Sequence, residues 1–99
     1  MQINETRDGD TLSYALAGRL DTATAPELEV AFKRAVDSSV KHLLLDFAAL
    51  DYISSSGLRV LLAAQKVMNR QGDMVVRNVN ESIMEVFDIT GFSELLTIE

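Results

Sequence analysis

The sequence predicts an α/β domain: a mixed, mostly parallel sheet of four to five strands carrying three to four helices, in the order β-β-α-β-α-β-α-β. Apolar patterns of strand type alternate along the chain with patterns of helical spacing, which calls for crossover connections and so for parallel strands. An Asp8-Gly9 pair between two short runs near the start reads as a hairpin turn. The run His42 to Phe47 is short and almost continuously apolar, as in a strand covered on both faces. A length of 99 residues fits one domain, assigned to residues 1–99.

Taken in order, Thr6 to Asp10 reads as the turn between the first two strands. Leu12, Tyr14 and Leu16 alternate with Ser13, Ala15 and Ala17, giving a strand with one bulky and one small face. Gly18 to Ala23 then leaves the sheet. Thr24-Ala25-Pro26-Glu27 opens a helix, with Thr24 as cap, Pro26 in the first turn and Glu27 closing a capping box. Leu28, Ala31, Phe32 and Ala35 follow at helical spacing, and the helix is expected to end near Asp37-Ser38-Ser39. After the strand at 42–47, Ala48 to Ser56 reads as a connecting loop. Ser54-Ser55-Ser56-Gly57 opens a second helix with Leu58, Leu61, Leu62, Gln65 and Met68 on one face and Gly72 beyond its end. Met74 to Arg77 is a strand. Asn80 caps a third helix carrying Ile83, Val86 and Phe87 inward, and Gly91 stops it. A turn and a short strand around Leu96 to Ile98 complete the chain.

Composition narrows the function classes. Hydrophobic residues make up 47% and charged residues 24%, ordinary for a folded domain. There is no Cys, which excludes disulfides and thiolate metal sites. A formal net charge of −6 with nine scattered basic residues argues against a nucleic-acid partner. No signal peptide and no run long enough to cross a membrane occurs, so a cytoplasmic, membrane-free protein is expected. Asp8, Asp10, Asp46 and Asp51 lack ligand spacing and read as turn and strand-end residues, so no metal or other cofactor is expected. His42 is the lone histidine and belongs at the opposite sheet edge from the serine run, which removes a Ser–His pair; no Gly-x-Ser-x-Gly elbow is present either. Nucleotide-binding glycine patterns are also absent, leaving only weak phosphate binding at a helix N-terminus. An enzyme is therefore not expected.

In open α/β sheets, ligands meet the loops at the carboxyl ends of parallel strands. The topology thus brings Asp21, Ser55 and Asn78 to one surface. Three hydroxyls at a helix start exceed what capping requires. A phosphate there would place roughly −1.5 to −2 charges beside the positive end of the helix dipole, which the fold tolerates and a partner packed over the loop does not.

The segment Asp51-Tyr52-Ile53-Ser54-Ser55-Ser56-Gly57-Leu58-Arg59-Val60-Leu61-Leu62 resembles the signature of the STAS domain family, and within it the stand-alone bacterial anti-sigma factor antagonists. Gly18-Arg19-Leu20-Asp21, Leu44-Leu45-Asp46-Phe47 and Val86-Phe87-Asp88-Ile89-Thr90-Gly91-Phe92 extend the resemblance over nearly the whole chain. It implies a partner switch. The unmodified protein binds an anti-sigma factor that is also a serine kinase of the GHKL ATPase type, freeing the sigma factor. Phosphorylation breaks that complex, and a PP2C-type phosphatase resets it. Aligned on Gly57, the phosphorylated residue is Ser55. Ser54 replaces the family's usual Asp and becomes a second-choice acceptor, while Ser56 is left as the cap. The implied partner surface comprises Arg19, Leu20, Asp21, Thr22, Ser54, Ser55, Ser56, Gly57, Leu58 and Asn78, on a monomer. The alternatives are a STAS interaction module acting on a non-sigma target, such as a secretion or signalling enzyme, and a weak nucleotide-binding module.

Overall fold

The computed structural model describes all 99 residues, Met1–Glu99. The elements are β1 (Gln2–Asp8), β2 (Thr11–Leu20), α1 (Ala25–Ala35), β3 (His42–Ile53), α2 (Ser55–Met68), β4 (Asp73–Arg77), α3 (Glu81–Thr90), α4 (Phe92–Leu95) and β5 (Thr97–Ile98). This is the expected order with one addition: Phe92–Leu95, read as a turn, closes one helical turn. It starts from Gly91, whose φ of 81° ends α3 in the left-handed region that only glycine adopts cheaply.

The sheet order is β1-β2-β3-β4-β5. β1 runs antiparallel to β2, and the remaining neighbours are parallel. The hairpin turn is tighter than the sequence suggested. Asp8 pairs with Thr11 across a two-residue loop, and Gly9 at φ 62° supplies its left-handed position. Thr6 to Asp8, expected in the turn, are strand.

Right-handed crossovers between strands in sequential order place every connecting helix on the same side. Burial follows that rule. Leu12, Tyr14, Leu16, Leu43, Leu45, Phe47, Met74 and Val76 are buried, whereas Ser13, Leu44, Asp46 and Val75 between them are only half-buried and Ala15 is exposed. The central strand is therefore not covered on both faces, as its apolar run suggested. The fold has two layers, and Leu44 faces the open side.

α1 brings Leu28 and Phe32 onto the sheet, and the Phe32 ring meets Tyr14 edge-on with centroids 5.1 Å apart. The Tyr14 hydroxyl donates to Glu5 Oε1 at 2.7 Å. Burial raises the Tyr14 pKa, and the Glu5 bond raises it further. α2 adds Leu58, Leu61 and Met68, and α3 adds Ile83 and Phe87, the latter 6.4 Å from Phe47 by ring centroid.

β3 is longer than predicted. Its buried positions are Leu43, Leu45 and Phe47, then Leu50 and Ile53, so the spacing changes from two to three. The register shows the cause. Ala15 and Ala17 pair with Asp46 and Ala49, and Gly18 and Arg19 with Leu50 and Tyr52. β3 carries one extra residue in each interval, which makes two β-bulges. The Asp46 carboxylate secures the first, accepting from the Ala48 N–H at 2.9 Å and from Asn78 Nδ2 at 3.0 Å. Those bonds, that from Asn78 foremost, hold the Asp46 carboxyl below the usual carboxylate range.

At the far end of the sheet, His42 Nδ1 lies 3.0 Å from Asp73 Oδ1 and ties the starts of β3 and β4 together. The bond to Asp73, then its charge, raises the His42 pKa. A raised pKa means that the folded state favours the protonated ring. The stabilisation is full below the ordinary imidazole value and is lost as pH rises through the raised folded one. Wild type is thus expected to lose denaturant midpoint relative to His42→Ala on going from about pH 5.5 to about pH 8.5, a window bracketing imidazole titration and clear of the carboxylates. Urea titrations of both proteins at the two pH values check it; parallel midpoints would show that the clasp contributes nothing.

Candidate functional site

β2 and β3 end side by side, with Leu20 paired to Ile53. The Ser54 N–H donates to the Leu20 carbonyl at 2.9 Å, which fastens the start of α2 to the end of β2. Asp21 and Ser55 therefore lie at the same end of the sheet, as the topology predicted. His42 begins β3 and Ser55 follows its end, so the two are at opposite edges.

The turn after β2 is built around Asp21. Its Oδ1 accepts from the N–H groups of Ala23 and Thr24 at 3.0 and 3.1 Å, and these contacts, with the Thr24 bond foremost, depress its pKa. The Thr24 hydroxyl donates to the Arg19 carbonyl at 2.7 Å and accepts from the Asp21 N–H at 2.9 Å. The predicted capping box is not formed, because the Thr24 hydroxyl is turned back into the preceding loop and makes no cap bond. Pro26 does lie in the first turn.

At α2 the cap is Ser54, not Ser56. Ser54 is extended (φ −99°, ψ 174°), and its Oγ accepts from the Gly57 N–H at 3.3 Å. Only the residue just outside the helix has the backbone direction that turns its hydroxyl onto the free N–H groups of the first turn. Ser56, one residue inside the first turn, is half-buried. Ser55, the first residue of the helix, is exposed, and its hydroxyl has no hydrogen-bond partner. No acidic side chain lies in that first turn.

The surface around Ser55 differs from the predicted one. Leu20 (0% exposed), Gly57 and Leu58 (6%) lie beneath it, packed into the core at the strand ends, and so does Ile53. They shape the surface from below and are not available to touch a partner. Arg19, Thr22 and Ser55 are exposed, and Asp21, Ser54 and Ser56 are half-buried. Tyr52, which sequence reasoning missed, is 41% exposed, and the Arg19 guanidinium sits 4.1 Å from its ring centre. Arg19 Nε also lies 3.7 Å from Asp21 Oδ2. The second bulge turns Tyr52 outward, and an aromatic out of step with the buried positions on either side was the available signal. Asn78, which takes the left-handed conformation at φ 59°, stands beside Asp46, seven residues of β3 short of the Ser54 end. It does not join Asp21 and Ser55. The end of its loop comes nearer: Asn80 Nδ2 donates to the Leu50 carbonyl at 3.0 Å while Asn80 Oδ1 caps α3 by accepting from Ile83 N–H at 2.8 Å.

The sequence matches the STAS domain over residues 2–99. The chain belongs to the STAS domain family. Among curated proteins it is 34% identical over 99 residues to BtrV of Bordetella bronchiseptica, which carries an anti-sigma factor antagonist name, covering 99% of this chain and 85% of that one. It is 30% identical over 100 residues to the anti-sigma-B factor antagonist of Listeria monocytogenes, covering 100% and 87%. Among solved structures the anti-sigma factor antagonist SpoIIAA of Bacillus shares the fold in both its unphosphorylated and phosphorylated forms, with TM-scores of 0.79 and 0.78 at 18% identity. Those two matches cover 99% of this chain and 87% and 91% of SpoIIAA. The chain thus groups with the anti-sigma factor antagonists of the STAS family, which are regulatory proteins.

In this STAS chain the close packing under Ser55 depends on Gly57. A Cβ there would come within 2.8 Å of Leu20 Cγ and 2.9 Å of Ile53 Cγ1. Gly57→Ala is expected to cost about 1–3 kcal/mol, because the two strand-end side chains must give way or α2 must lift. Guanidinium denaturation measures the loss; a stability change within about 0.5 kcal/mol would show that the strand ends yield freely. Two hollows of about 290 Å³ each lie elsewhere, one between α1 and α2 and one on the open sheet face, and neither includes a residue of the serine run. No helix is long and apolar enough to cross a membrane.

Proposed function

We propose that this chain is a phosphorylation-controlled switch with its acceptor at Ser55. The unmodified protein binds an anti-sigma factor serine kinase of the GHKL ATPase type in the bacterial cytoplasm and releases the sigma factor that kinase restrained. Transfer of a phosphoryl group to Ser55 breaks the complex, and a PP2C-type phosphatase restores it. The observation that carries this reading is the difference between neighbouring hydroxyls. Ser54 is occupied as a helix cap, and Ser55 beside it is exposed and free of hydrogen bonds.

The chemistry is electrostatic. A phosphate on Ser55 sits at the positive end of the α2 dipole, so the fold accepts it with little strain. A partner lying over Ser55, Thr22 and the Arg19–Tyr52 pair would have to desolvate that charge or face it with its own carboxylates. Both raise the cost of docking, and neither requires this domain to refold. The protein contributes no catalytic group; the kinase supplies the nucleotide, and the Ser55 hydroxyl is its substrate.

Co-purification tests the reading. The complex with the kinase is expected to survive gel filtration in ADP, to dissociate in ATP, and to survive ATP when Ser55 is replaced by Ala. Dissociation of the Ser55→Ala complex in ATP would remove Ser55 from the mechanism.

A further inference from the structure

The formal charge is distributed unevenly. Five of the fifteen acidic residues and none of the nine Lys and Arg residues fall after Arg77, so residues 78–99 carry −5 of the net −6. Glu81, Glu85 and Asp88 lie on α3, Glu94 on α4, and Glu99 at the end of the chain. All five are exposed. Glu99 pairs with Arg77 at 3.1 Å, and the other four make no salt bridge.

Helical geometry places Glu81, Glu85 and Asp88 on the outward side of α3, opposite buried Ile83 and Phe87. Ile89 lies on that same outward side, next to Glu85 at the i+4 position, and is 84% exposed. Leu95 on α4 is 54% exposed. This arrangement works against the isolated domain. Like charges at i, i+4 and i, i+3 repel, and Asp88 faces the negative end of its own helix, whose last turn holds no basic residue. Ile89, bare in the last turn of the helix, adds an apolar surface that water covers poorly. The side chains do not converge as a metal site: no group of three or more potential ligands is assembled anywhere.

We infer that the outward face of α3 with α4 is a second docking surface, and that its occupant is a polypeptide presenting a basic amphipathic helix. Cations on that helix pair with Glu85, Asp88 and Glu94, and its apolar stripe covers Ile89 and Leu95. Charge complementarity selects this occupant over an anionic membrane surface or a nucleic acid, both of which the carboxylates repel. The surface lies away from Ser55. α3 leaves Asn80, which bonds to Leu50 near the switch end, and runs back to Gly91, so Ile89 is at the end where the parallel strands begin. A partner there can be held while the contact at Ser55 is made or broken.

A synthetic amphipathic Leu/Lys helix, followed by amide chemical-shift mapping on the full chain, tests this. Perturbed amides are expected to cluster at Glu85–Leu95. Affinity is expected to fall about tenfold or more in the double variant Glu85→Lys/Asp88→Lys, the size of effect that reversing close interfacial charges produces. Both substitutions suit α3, since Glu85→Lys sets a cation four residues after Glu81 and Asp88→Lys sets one in the last turn, so unfolding is not the expected cause of a loss. Ile89→Ala, at an exposed position, is expected to weaken binding severalfold without altering the fold. Ser55→Asp should bind the peptide as wild type does, which separates this surface from the switch. Equal binding of a scrambled Leu/Lys peptide or of spermine, shifts centred near Asp21 and Asp51, or undiminished affinity in the double variant would each overturn the inference.

Discussion

Replacing Gly72 with alanine is expected to cost about 3 kcal/mol or more, at the upper end of what overpacking a well-ordered contact produces. Gly72 lies in the turn between α2 and β4, where its backbone passes against the start of β3. A Cβ at that position would stand within van der Waals contact of the Lys41 backbone, closest to its carbonyl oxygen and 2.6 Å from its carbonyl carbon. Those atoms cannot swing aside as a side chain would. The same carbonyl accepts from the Asp73 N–H at 3.0 Å, and the Gly72 N–H donates to the Met68 carbonyl at 2.7 Å. Relieving the clash therefore means breaking the bond that starts the β3–β4 pairing or unwinding the end of α2. Gly72 has no positive φ, so the requirement is closeness of approach and not backbone handedness. Equilibrium denaturation of Gly72→Ala measures the loss; a change below about 1 kcal/mol would mean that the turn moves away without disturbing either element.

The second large effect concerns binding. Ser55→Asp is expected to weaken the complex with the kinase by about tenfold or more, as a newly buried unpaired charge at an interface does. Ser55→Ala is expected to leave affinity within about threefold, since it removes a hydroxyl that has no partner to lose. Neither change should alter folding stability by more than about 0.5 kcal/mol. The aspartate is placed favourably in the first turn of α2, and the alanine is the best helix former. Calorimetric titration beside thermal unfolding separates the two effects. A Ser55→Asp protein that binds like wild type, or that loses binding only because it unfolds, would contradict the proposal.

How much of this was legible in the sequence depended on how regular each element is. α2, β4 and α3 follow their expected periodicities; α3 stops at Gly91, whereas α2 ends at Met68, short of Gly72. That the chain leaves β2 and β3 at one end of the sheet follows from parallel topology alone, but Gly18 to Leu20, expected in the loop, are the last residues of β2. Ala48 to Ile53 was read as loop because two bulges break the alternation that identifies a strand. Asp46, which satisfies the bulge at Ala48, carries no periodic signal. The apolar run at Leu43 to Leu45 suggested burial on both faces, yet sequential strand order leaves one face open, and order is not visible in a local pattern. The cap assignment failed for a similar reason. Ser54, Ser55 and Ser56 are chemically alike, and only the backbone turn at Ser54 decides which hydroxyl meets the Gly57 N–H. Leu20, Gly57 and Leu58 flank the serine run in sequence, but the strand ends fold them underneath it, while Tyr52 comes to the surface in their place.

The most direct measurement is peptide mapping of the wild-type protein after incubation with ATP and the GHKL-type kinase proposed as its partner. The proposal predicts a single phosphate, located on Ser55, with none on the capped Ser54 or the half-buried Ser56, and loss of all incorporation in Ser55→Ala. Phosphate on Ser54 or Ser56, or none at all while the kinase binds, would contradict it.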